Sequence, residues 1–204
     1  MHIYSKLTLF LILPIFLLSA CTGGMPGMSG MSGNANKNTQ NMDKATALPM
    51  DHGNMQMDAS KPFDAQFIDS MIEHHQGALD MAQTALQQAE HAELKTMAEA
   101  IIAAQNAEIK QMQEWRNAWY PDLSATGGMD MGMGDMMLSS DESLPFDQRF
   151  ITAMISHHQG AIDMAKMAQQ MAEHQEIKDL TDAIITAQQA EIEQMQQWEQ
   201  AWFQ

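Results

Sequence analysis

The most constraining feature of this sequence is an internal duplication at an offset of 83 residues. Residues 62–119 and 145–202 align without a gap, and 36 of the 58 aligned positions are identical. Because the same side chains recur at the same spacings, both copies are expected to adopt one fold. We therefore divide this part of the chain into a first repeat, residues 62–120, and a second repeat, residues 145–204.

Each repeat is predicted to be a helical hairpin. Pro62 and Asp64 favour a helix start, and Pro121 favours a stop. A single helix through the repeat would be about 85 Å long and lacks the heptads of a coiled coil, so we predict two antiparallel helices that turn near residue 91, and near residue 174 in the second repeat. Two such hairpins predict an all-α four-helix bundle with pseudo-twofold symmetry. The 3.6-residue apolar spacing behind this prediction runs through Phe67, Ile68, Met71, Ala78, Met81, Ala82 and Ala85, then through Leu94, Met97, Ile101, Met112, Trp115 and Trp119.

The N-terminus, residues 1–20, is predicted to be a lipoprotein signal peptide. Lys6 precedes an apolar run of about 18 Å as a helix, too short for a bilayer core of about 30 Å. Residues 18–21, Leu-Ser-Ala-Cys, resemble the bacterial lipobox, which predicts lipidation of Cys21. Thr22, rather than Asp, follows the cysteine and favours the outer membrane, facing the periplasm. The alternative is an ordinary secretory signal.

Methionine is concentrated where no core is expected. Residues 21–61 form a predicted disordered tether and residues 121–144 a Met/Gly-rich linker, and together they hold 12 of the 22 methionines. Thioethers are soft ligands that need no deprotonation, so they suit Cu(I) or Ag(I) where thiols would be oxidised. We predict weaker metal sites at His52, Met55, Met57, Met129, Met131 and Met133.

The charge balance excludes some partners and favours others. Ten Lys and Arg against 26 Asp and Glu give a formal charge of −16, which becomes −17 when the signal peptide with Lys6 is removed. Such a chain repels phosphate backbones, so nucleic acid is excluded as a partner, whereas metal ions are attracted. Because Cys21 is the only cysteine, a disulfide framework is excluded.

Several polar residues fall on the apolar face of the predicted helices. His74 and His75 flank the stripe of the first helix, and Glu108 lies inside that of the second, where a carboxylate is costly unless it is paired or metal-bound. A turn centred on residue 91 places Glu108 opposite His74. We interpret this layer as a metal site, the alternative being a Glu–His pair that fixes helix register with methionine as core filler. The predicted layer comprises His74, His75, Glu108, Met71 and Met112, and in the second repeat His157, His158, Glu191, Met154 and Met195.

The motif F-I-x-x-M-I-x-H-H-Q-G-A-x-x-M-A, followed by I-I-x-A-Q-x-A-E-I-x-x-M, resembles the family designated domain of unknown function 305. The resemblance covers roughly 116 of the 204 residues and implies a ferritin-like fold and copper binding in the periplasm. Many members of the family carry a single copy of the repeat, so the oligomeric state of this chain, monomer or dimer, is left open. The positions that match the family motif add Met81 and Met164 to the predicted metal ligands given above.

Three functions follow as hypotheses. The first is an exported copper-binding lipoprotein that sequesters Cu(I) or Cu(II), or hands copper to a transfer protein, in copper tolerance or homeostasis, with Ag(I) as a further ligand. The second is a ferritin-like redox enzyme such as a cuproxidase, and the third an inert structural or adaptor lipoprotein. No histidine has Glu three residues before it, which argues against a di-iron site. We expect no catalytic residues, since no nucleophile elbow or phosphate loop is present.

Overall fold

The computed structural model describes residues 57–126 and 138–204, and these form four helices without a strand. They are α1 (Phe63–Gln88), α2 (Ala92–Trp119), α3 (Phe146–Met171) and α4 (Gln175–Phe203). Each repeat is thus one hairpin, with its turn at residues 89–91 or 172–174, and the predicted all-α bundle is confirmed. The predicted signal peptide, Cys21 and the methionines of residues 22–56 and 127–137 lie outside the described residues.

The first helix of each hairpin starts directly after a proline. Pro62 precedes α1 and Pro145 precedes α3, at the boundary where the missing N–H of proline costs no helical hydrogen bond. Helix α2 ends at Trp119, two residues before Pro121. The prolines in the sequence therefore mark where these helices begin or end.

The two hairpins pack through α1 and α3, which run antiparallel to each other. At one end of the bundle, the Asp64 carboxylate at the start of α1 accepts hydrogen bonds from the backbone N–H groups of Glu173 and His174, at 3.0 and 2.9 Å. These N–H groups lie at the start of α4, where an anion also interacts favourably with the helix dipole. Each hairpin thus caps a helix of the other, and the second cap joins Asp147 to Glu90 and His91 at the same distances.

Aromatic stacks reinforce the same two ends. The His174 ring stacks on Trp119 with a centroid distance of 3.7 Å and an interplanar angle of 8°, and Trp119 in turn stacks on Trp115. The other end repeats this stack with His91, Trp202 and Trp198. The turn residues His91 and His174 therefore each pack against a tryptophan of the other hairpin.

The apolar core is divided into two clusters, one towards each end of the bundle. A polar layer separates them, because each helix buries histidine or glutamine side chains between the residues that it contributes to the two clusters. One cluster contains Phe67, Ile68, Met71, Met112, Met164, Ile177 and Ile184, and the other contains Met81, Leu94, Ile101, Phe150, Ile151, Met154 and Met195.

The edges of the two segments predicted to be disordered, residues 57–61, 121–126 and 138–144, are described by the structure and contact the helices. The Gln66 side chain bonds the backbone of Asp58 and Lys61, and the Asp69 carboxylate accepts hydrogen bonds from Thr126. Arg116 donates to Asp69 and to the carbonyl groups that follow α2. Helix side chains therefore order these flanks, an effect that the composition of the flanks does not reveal.

The linker between the repeats joins opposite ends of the bundle. The residues that follow α2 lie beside the first turns of α1, through the Asp69 contacts, whereas α3 starts beside the end of α1, through the Asp147 cap. Thr126 and Leu138, the described residues on either side of the linker, therefore lie towards opposite ends of the bundle. Within residues 57–126 and 138–204, no helix is both long and apolar enough to span a bilayer.

Candidate metal centre

The polar layer between the two core clusters is the candidate site, and we call it the middle layer. Its six side chains are all buried, although each carries nitrogen or oxygen atoms that need partners. Leaving one such atom unpaired costs about 1–3 kcal/mol, so the eight unpaired atoms on these six side chains need a physical explanation. The six residues are His74, His75, Gln105, His157, His158 and Gln188.

His74 and His157 face each other across the α1–α3 contact. Their side chains are 1% and 2% exposed, and their ring centroids lie 3.8 Å apart at an interplanar angle of 49°. Within the described residues, none of their four ring nitrogens has a hydrogen-bond partner. Gly77 makes this approach possible, since a Cβ atom at that position would lie 3.2 Å from Nε2 of His157.

Burial keeps this pair neutral. The pKa of His74 is held well below its ordinary value, first by burial and then by the charge that the neighbouring His157 ring would carry. The pKa of His157 is lowered to about 3, again mainly by burial. Neutral imidazole offers a lone pair on one nitrogen, so both rings remain available as ligands at neutral pH.

The other two histidines are paired with carboxylates. Nε2 of His75 lies 2.7 Å from Oε2 of Glu108, and Nε2 of His158 lies 2.7 Å from Oε2 of Glu191. The sequence-based register, which set Glu108 opposite His74 and Glu191 opposite His157, is therefore wrong by one residue. In each hairpin the carboxylate contacts the second histidine of the pair, while the first histidine lies against its counterpart in the other hairpin.

These carboxylates fix the tautomer of the rings that they contact. A carboxylate only accepts hydrogen bonds, so Nε2 of His75 carries a proton in this pair, and Nδ1 is the ring atom left to bind a metal. Nδ1 of His75 and Nδ1 of His158 are buried and have no partner among the described residues. A carboxylate that orients an imidazole in this way is the usual arrangement behind a metal-binding histidine.

Six buried methionines belong to the two core clusters, with a trio of methionines in each cluster. Met71 and Met112 share their core cluster with Met164 of the other repeat. Met154 and Met195 likewise share theirs with Met81. Each cluster therefore combines thioethers from both hairpins, which analysis of one repeat by itself could not show.

The donor set fits a soft metal ion. In residues 57–126 and 138–204, no group of three or more His, Cys, Asp or Glu side chains is placed to hold a metal ion, so a site in the middle layer would need methionine as a further ligand. Unpartnered imidazole nitrogens next to clusters of thioethers are instead the ligands that Cu(I) and Ag(I) prefer. The orphaned ring nitrogens and the methionine trios thus suit the same ion.

The predicted weaker ligands are mostly outside the described residues. This holds for His52, Met55, Met129, Met131 and Met133. Met57 is described, and it is partly buried against the cluster that contains Met71.

Sequence reasoning missed the polar residues at the two ends of the bundle. Asp64 and His174 form one pair, and Asp147 and His91 the other, with Nδ1 and Oδ2 2.6 Å apart in both. The signal was available, because the offset of 83 retains each of these residues in both repeats. Gln105 and Gln188 are likewise at equivalent positions of the two repeats, and sequence reasoning assigned them no role.

Comparison with known proteins agrees with this architecture. The profile of the family described as domain of unknown function (DUF305) matches residues 22–116 and 64–199. A structure titled CopM in the Cu(II)-bound form is 45% identical, covers 69% of this chain and 97% of that chain, and has a TM-score of 0.62. CopM in the Cu(I)-bound form is 42% identical, with 71% and 100% coverage and a TM-score of 0.61. CopM in the Ag-bound form is 43% identical, with 69% and 98% coverage and a TM-score of 0.60. No curated protein matches the sequence.

Proposed function

Because the chain belongs to the DUF305 family, we propose that it binds copper in the cell envelope, either to sequester the metal or to hand it on. The structures similar to it include CopM with Cu(I), with Cu(II) and with Ag. We further propose that this binding contributes to copper tolerance or homeostasis, and that the chain is a binding protein and not an enzyme.

The observation that carries the proposal is the His74–His157 pair. Two neutral imidazoles with four unpartnered nitrogens lie in contact in the middle of a core that could have held leucine. Their burial lowers the stability of the bundle, since unsatisfied polar atoms are costly. A metal ligand role explains why both repeats keep these rings.

We assign the tight copper site to groups around the middle layer. His74 and His157 supply imidazole nitrogens across the α1–α3 contact, and His75 and His158 supply Nδ1 atoms. Glu108 and Glu191 either orient the His75 and His158 rings or coordinate the metal directly through carboxylate oxygens, which suit Cu(II). The thioethers assigned to Cu(I) or Ag(I) are those of Met71, Met81, Met112, Met154, Met164 and Met195.

The proposed location follows from the N-terminus. Lipidation of Cys21 would tether the protein to a membrane, with the outer membrane favoured and the bundle facing the periplasm. The methionines of residues 22–61 and 121–144 would then collect copper weakly near the bundle. Cys21 is the only cysteine of the chain, so the bundle has no cysteine ligand for a blue-copper redox site, which supports binding rather than electron transfer.

The decisive experiment is an anaerobic competition titration with Cu(I) and Ag(I). The variant His74→Leu/His157→Leu should lose at least about tenfold in its tightest affinity, while its helical circular dichroism is retained. The matched control is His91→Phe/His174→Phe, which removes the same number of imidazoles but preserves stacking on tryptophan. If the Leu pair binds Cu(I) as tightly as the unmodified protein, the buried histidines are structural and the proposed site is wrong.

A further inference from the structure

A row of methionines runs along the last two turns of α3, and the proposed function uses only its first member. The row consists of Met164, Met167 and Met171, which follow one another at spacings of three and four residues. Residues at these spacings are neighbours on one face of a helix, with Cβ atoms about 5–6 Å apart. We call this row of three thioethers the α3 methionine ladder.

Exposure to solvent increases along the ladder. Met164 is 1% exposed and shares its core cluster with Met71 and Met112. Met167 is half-buried, and Met171 is 45% exposed. The helical rise separates the two ends of the ladder by about 10 Å. The ladder therefore connects solvent to a buried methionine trio in two steps, each between neighbouring side chains of one helix.

Core packing does not account for the exposed end of this ladder. An exposed methionine removes little apolar area from water, so a polar residue would serve equally well at position 171. The first repeat has polar residues at the positions equivalent to 167 and 171, namely Thr84 and Gln88, although it retains Met81 in place of Met164. The ladder is thus a property of the second repeat alone, and it leads to one of the two trios.

The ladder opens at the end of the bundle where the chain enters α1. Met171 directly precedes the turn at residues 172–174, whose backbone N–H groups bond Asp64 at the start of α1. Met57 packs against the cluster that contains the trio, beside a backbone segment that Gln66 of α1 binds. A thioether that precedes the helices therefore lies at the same end of the bundle as the exposed end of the ladder.

A soft ion needs ligands along its path into this core. An ion that loses its water in an apolar interior is strongly destabilised unless protein atoms replace the lost ligands. Thioethers bind Cu(I) and Ag(I) and need no deprotonation to do so. The methionine side chain is also unbranched and flexible, so a sulfur can follow an ion towards the next residue of the row. At each step the neighbouring thioether then replaces a ligand that is released.

We propose that the α3 methionine ladder is the entry route by which Cu(I) or Ag(I) passes from solvent to the buried trio of Met71, Met112 and Met164. This inference rests on the proposed function, which assigns that trio to the tight site. Met167 and Met171 act on the rates of metal uptake and release, whereas the buried ligands set the affinity. Because the ion uses the same route in both directions, loss of the route slows uptake and release by the same factor.

Stopped-flow mixing with Ag(I), followed by tryptophan fluorescence, measures these rates. Trp115 and Trp119 pack against the cluster that contains the trio. The chain has four tryptophans, so a Trp198→Phe/Trp202→Phe background leaves these two as the reporters. Uptake is recorded on mixing with Ag(I), release on mixing the loaded protein with a competing chelator, and the equilibrium affinity by titration against the same chelator.

The test variant is Met167→Leu/Met171→Leu, which removes both sulfurs with little change in volume. Its uptake and release rates should each fall by at least about tenfold, while its equilibrium affinity stays that of the unmodified protein. The matched control is Met97→Leu, which removes a half-buried methionine of α2 at a position where the second repeat has leucine. The control should retain the unmodified rates.

The first repeat allows the reciprocal experiment. Thr84→Met/Gln88→Met extends Met81 into a second ladder and should accelerate Ag(I) uptake by the other trio. Trp198 and Trp202 pack against that cluster and report this uptake when the two tryptophans of α2 are replaced with phenylalanine.

The outcomes separate the entry route from the proposed function. Unchanged rates in Met167→Leu/Met171→Leu, at full equilibrium affinity, would overturn the entry route alone. A weaker equilibrium affinity in this variant would also overturn it, because the outer methionines would then be ligands of the tight site. Absence of tight Ag(I) binding in the unmodified protein would instead overturn the proposed function, and the entry route with it.

Discussion

Nδ1 of His174 lies 2.6 Å from Oδ2 of Asp64, a residue 110 positions earlier in the other hairpin. The same carboxylate accepts backbone hydrogen bonds from Glu173 and His174 at the start of α4. This single buried side chain therefore caps a helix and joins the two hairpins, and Asp147 does the same at the opposite end.

Replacing Asp64 with Ala should reduce the free energy of unfolding by about 2–3 kcal/mol, because buried N–H groups lose a charged acceptor. Urea denaturation followed by circular dichroism measures this change. The control is Asp80→Ala, at an exposed position on the same helix, where a change of less than about 0.5 kcal/mol is expected. Equal effects at the two positions would show that the Asp64 cap contributes nothing specific.

The buried histidines should make the metal-free bundle sensitive to acid. In the unfolded chain His157 takes up a proton below its ordinary pKa of 6.5, but in the folded protein its pKa is about 3. Between these two pH values the unfolded state binds more protons, so the free energy of unfolding falls as the pH is lowered, by up to about 1.4 kcal/mol per pH unit for each such ring.

Urea midpoints measured from pH 8 to pH 4 test this dependence. The variant His74→Leu/His157→Leu should show a shallower loss of stability below pH 6.5 and the same slope as the unmodified protein above pH 7. A variant with an unchanged acid slope would show that these rings do not control the acid response.

Glu108→Gln should weaken copper binding even though the carboxylate contacts a ring. An amide can donate as well as accept, so Nε2 of His75 is no longer held in the protonated form, and a loss of about 10–100-fold is expected. Nitrogen-15 NMR of the imidazole reports the tautomer directly and should change in the same variant. An unaltered tautomer with full affinity would exclude a positioning role for Glu108.

Deleting residues 22–56 should lower the number of Cu(I) ions bound without changing the tightest affinity. Ligands on a chain that must be ordered cost about 1–2 kcal/mol of backbone entropy per fixed residue, so each methionine site there should be weaker than the bundle site. A competition titration separates the two properties. A decrease in the tightest affinity would mean that the tether takes part in the main site.

Cys21→Ser should release the protein from membranes while preserving its copper affinity, because the predicted anchor precedes the first core histidine by more than fifty residues. Fractionation of cell envelopes, with a parallel Cu(I) titration, measures both. A variant that is processed normally and still fractionates with membranes would contradict the lipoprotein assignment.

Much of the fold is predictable because the helix signals are local. The apolar spacing through Met71, Ala78 and Ala82 identifies the buried face of α1, and the prolines at positions 62 and 121 mark where the first hairpin begins and ends. The duplication then supplies the second hairpin without further assumptions. Burial of His74 and His75 follows from the same helical spacing, since both residues lie beside the apolar stripe of α1.

The contacts between hairpins are not predictable in this way. Periodicity shows which face of a helix is buried but not which helix packs against it, so the His74–His157 contact and the placement of Met164 beside Met71 needed the structure. The one-residue register error at Glu108 has a related cause. The position of a hairpin turn fixes which residues of the two helices lie opposite each other only to within about one residue. Successive helical residues point 100° apart, so an error of one residue changes the partner.

The difference between the two repeats at Asp69 and Arg116 shows that the two halves of the chain can diverge from each other. The equivalent positions of the second repeat are Thr152 and Glu199, so this ion pair exists in one hairpin only. In a homodimer of single hairpins, both halves have the same sequence, so each substitution would appear in both halves at once. In a fused chain each half mutates independently, so two equivalent donor groups can drift to unequal affinities. On the proposed function, such a protein would take up successive ions at different concentrations and would thereby broaden the range over which it buffers the metal, without any cooperative change between subunits.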